Sequence, residues 1–126
     1  MRIGLMTSGG DCPGLNAVIR GAVLHGIKSF GHEFVGFRDG WRGVVEGDVI
    51  DIPRTMVRGI AKQGGTILGT SRTNPFENGG GPDVIKAHME RLGIDAIIAG
   101  RVEEGPKQVV IEPLNVVYGA DELQLR

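Results

Sequence analysis

The residues best suited to chemistry fall in two glycine-rich runs. Thr7, Ser8, Gly9, Gly10 and Asp11 follow an apolar segment, Ile3 to Met6, and precede a helix-like pattern running on from Asn16. A strand, a glycine turn and a helix in that order build a phosphate site. Glycine takes positive φ and has no Cβ, so an anion can reach successive backbone N–H groups at the helix N-terminus. The helix dipole adds charge on the order of half an elementary unit there. The second run, Gly64-Gly65-Thr66-Ile67-Leu68-Gly69-Thr70-Ser71-Arg72, ends in an arginine. A guanidinium at the end of a glycine segment can bridge two phosphoryl groups with its fork of donors and stabilise charge moving between them. A solvated loop arginine is the competing reading.

The first run does not fit the phosphate motifs with a known mechanism. No Lys-Ser/Thr follows the first loop, as a Walker loop needs, and the dinucleotide G-x-G-x-x-G spacing is missing. Alone, the first run reads equally as a tight strand-to-helix turn with Pro13 near the first helical position. Together the two runs resemble the start of the 6-phosphofructokinases, which open with G-G-D-x-P-G-x-N and later carry G-G-T-x-L-G-[ST]-x-R. The Asp39-Gly40-Trp41-Arg42-Gly43 turn and Gly93-Ile94-Asp95-Ala96-Ile97-Ile98-Ala99 match as well. The resemblance covers residues 1–99, and residues 100–126 form an unmatched tail.

The resemblance implies phosphoryl transfer from ATP or pyrophosphate to the 1-hydroxyl of fructose 6-phosphate, in glycolysis. Thr7, Ser8, Gly9, Gly10 and Asp11 would line the donor phosphates, Trp41 would sit beside them, and Arg72 would bridge donor and acceptor as the catalytic residue. An aromatic bracing the loop is the other reading of Trp41. Arg20 and Arg54 would belong to an effector site between subunits, although Leu24 and Gly59 stand where regulated bacterial enzymes often carry Arg and Asp. In the family a G-G-[DE]-[DG]-[ST] loop that holds Mg²⁺ follows residue 99, and a P-x-T-I-D-N-D segment supplies the general base. Here the sequence reads Gly100-Arg101-Val102-Glu103-Glu104-Gly105, without either. Glu103 and Glu104 read as a solvated turn, so no metal ligand is assigned.

A phosphoryl transferase needs a metal to neutralise charge and a carboxylate to take the hydroxyl proton. The isolated chain is therefore expected to be inactive. The alternatives are a catalytically incomplete nucleotide- or phosphate-binding module, or a regulatory fragment docking on a full-length subunit through the surface around Arg20. An exposed former interface would favour a homo-oligomer.

The elements that position these residues read as an α/β fold. It has a small parallel sheet with helices on both faces, Rossmann-like and three-layered, plus a β-rich C-terminal extension. Residues 2–6 read as a buried strand. Residues 16–30 read as a helix with Val18, Ile19, Ala22, Val23 and Ile27 on one stripe and Gly31 as its C-terminal cap. Residues 33–37 make a second strand, 38–43 a turn, 49–52 a hairpin strand, and 53–62 a helix opened by Pro53. Residues 82–92 form an amphipathic helix burying Val84, Ile85, Ala87, His88, Met89 and Leu92. Residues 94–99 form a further buried strand, and the tail strands span 107–112, 114–118 and 122–126, with a turn at 119–121.

Length and composition bound the rest. At 126 residues the chain is one domain by length, and its net charge of -1 gives no footprint for nucleic acid or a membrane surface. No run approaches the roughly 18 apolar residues of a membrane span. The single cysteine, Cys12, cannot form an internal disulfide and reads as a buried small group beside the loop, consistent with a reducing cytoplasm. His25, His32 and His88 share no metal-like spacing. The 22 glycines exceed the usual share of about 7% and sit mostly at element junctions, as turn chemistry does.

Overall fold

The structure, a computed structural model, describes residues 1–10, 12–77 and 79–94, and the backbone of 108–111 and 116–119. The chain divides into two compact units, Met1–Ala96 and Ile97–Arg126. In the first unit the elements run β1 (Arg2–Leu5), α1 (Leu15–Phe30), β2 (Glu33–Phe37), α2 (Trp41–Glu46), β3 (Val49–Asp51), a 3₁₀ turn (Ile60–Lys62) and α3 (Pro82–Leu92). In the second, β4 (Gln108–Ile111) pairs antiparallel with β5 (Val116–Gly119). The expected third tail strand and the turn at 119–121 extend into residues outside those described, as does most of the expected strand at 94–99.

The fold is α/β. β1 and β2 pair in parallel, with Ile3 opposite Phe34 and Gly4 opposite Val35. β3 returns antiparallel to β2, so the sheet is mixed rather than wholly parallel. A hairpin return is antiparallel by necessity, whereas the α1 crossover is long enough to bring β2 back parallel to β1. Side chains alternate across β2. Phe34 joins Ile19 and Val23 of α1, together with Ile52, Val57, Ile60 and Leu68, on one face. Phe37 joins Val44 of α2 and Leu92 of α3 on the other. Helices therefore cover both faces, and period-two alternation assigns each strand residue to its layer.

α1 ends at Gly31, which takes φ 64° and donates its N–H to the Ile27 carbonyl at 3.1 Å, as an αL cap does. The helix lies so close to β2 that a Cβ on Gly26 would meet the Phe34 ring. Only part of the expected stripe is covered: Ile19 and Val23 are buried, Ile27 is half-buried, but Val18 is 70% exposed and Ala22 is exposed. Among the described residues the sheet has three strands and offers α1 a narrow contact, and the flank of the apolar stripe is exposed. The same holds on α3, where Leu92 is buried and Ala87 exposed. β1 is half-buried along its length rather than buried.

Two segments differ from the sequence-based expectation. Residues 53–62 form successive turns and a short 3₁₀ helix, with Met56 N–H donating to the Pro53 carbonyl and Arg58 N–H to the Thr55 carbonyl. These i to i−3 bonds are too tight for an α-helix, and Gly59 at φ 78° breaks the run. Conversely, the expected turn at 38–43 passes into α2 at Trp41.

Candidate functional site

Both glycine runs and the turn after β2 meet at the carboxyl end of the two parallel strands, where ligands bind in open α/β sheets. The first run leaves β1 and enters α1 through Gly14, which sits at φ 96° as the N-cap. Among the described residues no side chain caps the helix, and its first turn holds no acidic residue. Among those residues its leading N–H groups thus lack the side-chain partners that usually satisfy them.

The two runs are tied together by hydrogen bonds. Thr7 Oγ1 donates to the Gly69 carbonyl at 2.7 Å and lies 2.8 Å from Thr66 Oγ1. Ser8 Oγ donates to the Ser71 carbonyl at 3.2 Å, and the Gly9 N–H donates to that same carbonyl at 3.1 Å. In return, Thr70 Oγ1 donates to the Gly9 carbonyl at 3.2 Å. The turn after β2 joins them: Asp39 N–H donates to the Leu68 carbonyl at 2.8 Å, and Ser71 Oγ donates to the Asp39 carbonyl at 2.5 Å.

Close backbone approach explains the glycines here. A Cβ on Gly40 would lie 2.6 Å from the Thr7 carbonyl oxygen, and one on Gly69 would run into the Asp39 carboxylate. Gly40 and Gly69 also take positive φ, 62° and 72°. Asp39 itself has φ 51°, alone among the described non-glycine residues. That conformation costs about 1–3 kcal/mol and persists only where surrounding contacts impose it. Its backbone bonds to Leu68 and Ser71 do so, together with an ion pair from its carboxylate to Arg42.

The residues expected at the site therefore divide. The Thr7 and Ser8 hydroxyls and the Gly9 amide are engaged with the second run. Among the described residues the Gly10 N–H makes no hydrogen bond, and a Cβ there would meet nothing within 4 Å. Asp11 lies outside the described residues. Arg72 is exposed, and among the described residues its side chain forms no hydrogen bond or ion pair. Trp41 is half-buried and packs against Phe37, Val44 and Leu92. Arg20 and Arg54 are exposed, on α1 and in the turn after β3. Cys12, expected buried, is exposed. Among the described residues the hydrogen-bonding contact of the thiol is the carbonyl of Pro13, 3.8 Å from Sγ.

Asn16 has a part that its sequence position only hinted at. It is 2% exposed; its Nδ2 donates to the Gln63 carbonyl at 3.2 Å and lies 3.4 Å from the Gly64 carbonyl, while Oδ1 accepts from Ile67 N–H at 2.8 Å. An amide at the foot of an apolar helix stripe, inside the first motif, was the available signal.

Among the described residues no group of three or more His, Cys, Asp or Glu side chains could hold a metal ion. Mg²⁺, which the resemblance implies, therefore meets no cluster of three such side chains among the described residues. No helix among those residues is long and apolar enough to cross a membrane. A cavity of about 470 Å³ lined by Arg2, His32, Glu33, Asp51 and Pro53 lies at the opposite end of the sheet, at the starts of β1 and β2. A smaller one of about 220 Å³ adjoins the second run, between Arg42, Glu46, Thr73 and Glu77.

Strand, glycine loop and helix, with a second glycine run tied to the first, define an α/β domain. A family model described as Phosphofructokinase matches residues 2–100. The pyrophosphate–fructose 6-phosphate 1-phosphotransferase of Streptomyces coelicolor is 52% identical over 98 residues, 78% of this chain and 29% of that protein. The enzyme of the same name from Amycolatopsis methanolica is 54% identical over 99 residues, 79% of this chain and 29% of that protein. ATP-dependent 6-phosphofructokinase 3 of Streptomyces coelicolor is 52% identical, over 78% of this chain and 29% of its own length. The phosphofructokinase structure from Saccharomyces cerevisiae superposes with a TM-score of 0.68 at 35% identity, over 75% of this chain and 13% of that one. The chain belongs to the phosphofructokinase family. It spans 29% of the length of these curated relatives.

Proposed function

We propose that this chain forms the phosphoryl-donor half of a 6-phosphofructokinase site, binding pyrophosphate or the phosphates of ATP for transfer to fructose 6-phosphate. One observation supports the reading: hydrogen bonds from Thr7, Ser8 and Gly9 tie the first glycine loop, which leads into α1, to the second run as far as Ser71, the residue before Arg72. An anion there meets backbone N–H groups, the positive end of the helix dipole and a guanidinium that is not engaged elsewhere among the described residues. Thr7, Ser8 and Gly9 set the cradle's shape, the Gly10 N–H takes the phosphate, and by the family resemblance Asp11 would line it as well. Arg72 bridges donor and acceptor and Trp41 braces the turn beside them. Mg²⁺ ligands, the general base and the sugar-phosphate pocket belong to other segments of the family's enzymes, so binding rather than turnover is the activity expected of these residues alone.

Isothermal titration with pyrophosphate and with ATP tests this. Saturable binding is expected for the unsubstituted chain. Gly10→Val should abolish it without lowering the melting temperature, because the added side chain enters open space. Arg72→Ala should weaken it by about 10- to 100-fold, equivalent to the roughly 1.5–3 kcal/mol of a charged hydrogen-bonding group. A folded chain that binds neither donor would refute the reading.

A further inference from the structure

Arg72 can act on phosphoryl groups only if its main chain is held, and a run containing Gly64, Gly65 and Gly69 does not hold itself. Ser71, the residue before it, makes the connections. Its carbonyl uses both lone pairs, accepting the Gly9 N–H at 3.1 Å and Ser8 Oγ at 3.2 Å. Its hydroxyl reaches the other way, donating to the Asp39 carbonyl at 2.5 Å with Thr73 Oγ1 3.0 Å off. One hydroxyl proton serves one acceptor at a time; with it on Asp39, the Thr73 hydroxyl is the donor of the second bond. Asp39 is a firm anchor, fixed by its own N–H to Leu68 and by the ion pair with Arg42. Ser71 thus joins the first glycine loop, the turn after β2 and the second run through two oxygens. In the motif G-G-T-x-L-G-[ST]-x-R it occupies the unspecified position before the arginine.

We infer that Ser71 is a positioning residue for Arg72, its hydroxyl holding the second glycine run to the Asp39 turn so that the guanidinium faces the donor phosphates. The inference rests on the donor-site reading above. Its carbonyl bonds would survive replacement of the side chain, so the hydroxyl link is the separable part. Ser71→Ala keeps the tie to the first loop and frees the run from the Asp39 turn.

The test is a double-mutant cycle in pyrophosphate affinity across Ser71→Ala and Arg72→Ala, with Ser71→Thr as the rescue and melting temperature followed throughout. Ser71→Ala is expected to weaken pyrophosphate binding about tenfold and to shrink the effect of Arg72→Ala by the same factor of about ten, and Ser71→Thr to restore both. ¹⁵N relaxation without ligand should show faster motion at the Arg72 amide in Ser71→Ala. Strictly additive losses, or unchanged affinity and unchanged Arg72 dynamics, would overturn the inference while leaving the donor site intact. Absence of binding of both pyrophosphate and ATP by the unsubstituted chain would overturn the donor-site reading, and this inference with it; where ATP alone binds, the cycle is read in ATP affinity.

Discussion

Asn16→Ala is the substitution whose effect follows most directly from the geometry. The side chain is almost wholly buried and links the start of α1 to residues 63, 64 and 67. Alanine removes all of these links, but their costs differ. Gln63 and Gly64 are exposed, so water can replace the amide at their carbonyls. The Ile67 N–H is half-buried and loses its acceptor, which costs about 1–3 kcal/mol, and lost packing adds to that. A total of about 2 kcal/mol in a unit of this size lowers the melting temperature by roughly 8–16 °C. Thermal unfolding by circular dichroism reads the global effect, and hydrogen exchange at the Ile67 amide reads the local one. That amide should be protected in the unsubstituted chain and exchange readily in the variant. Pyrophosphate affinity should fall too, because the second run is released at its base. A melting temperature within about 2 °C of the original and unchanged Ile67 exchange would refute the claim that Asn16 anchors the loop.

Cys12 should react fully with iodoacetamide in the native chain, because its thiol is exposed, and pyrophosphate should slow the reaction if the loop binds it. A thiol that modifies only after denaturation would contradict the loop geometry. Gly40→Ala should destabilise by about 1–3 kcal/mol in denaturant titration, since residue 40 has φ 62° and ψ -128° and its new methyl would press on Thr7 and Ser8. A midpoint unchanged from that of the original chain would mean that the turn can draw away from the first loop.

Where the sequence was readable, local chemistry and tertiary environment agreed. α1 carries an apolar repeat ending at a glycine that can adopt αL, and α3 begins with proline at its first position, so their bounds follow from period and caps. α2 was hidden because glycines at 40 and 43 read as a turn. Gly43 serves the helix instead, since a Cβ there would strike the Arg38 backbone that the helix folds against. At 53–62 the proline start signal was genuine, but Gly59 in αL ends any helix before it can propagate. Val18 and Cys12 show a different limit. Periodicity says which residues share a face, not how far the neighbouring layer extends over it.

That the two glycine runs meet was legible in the sequence, but which of their donors bind each other was not. A glycine loop before a helix suggests that every N–H and hydroxyl in it awaits an anion. Yet an unsatisfied donor is costly unless water or a partner takes it, and the nearest partners here are carbonyls of the second glycine run. Thr7, Ser8 and Gly9 therefore spend their donors on shape. Those bonds fix the chain next to Arg72 and leave the Gly10 N–H without a partner among the described residues, so in the proposed site the groups engaged with one another set where those left for an anion stand.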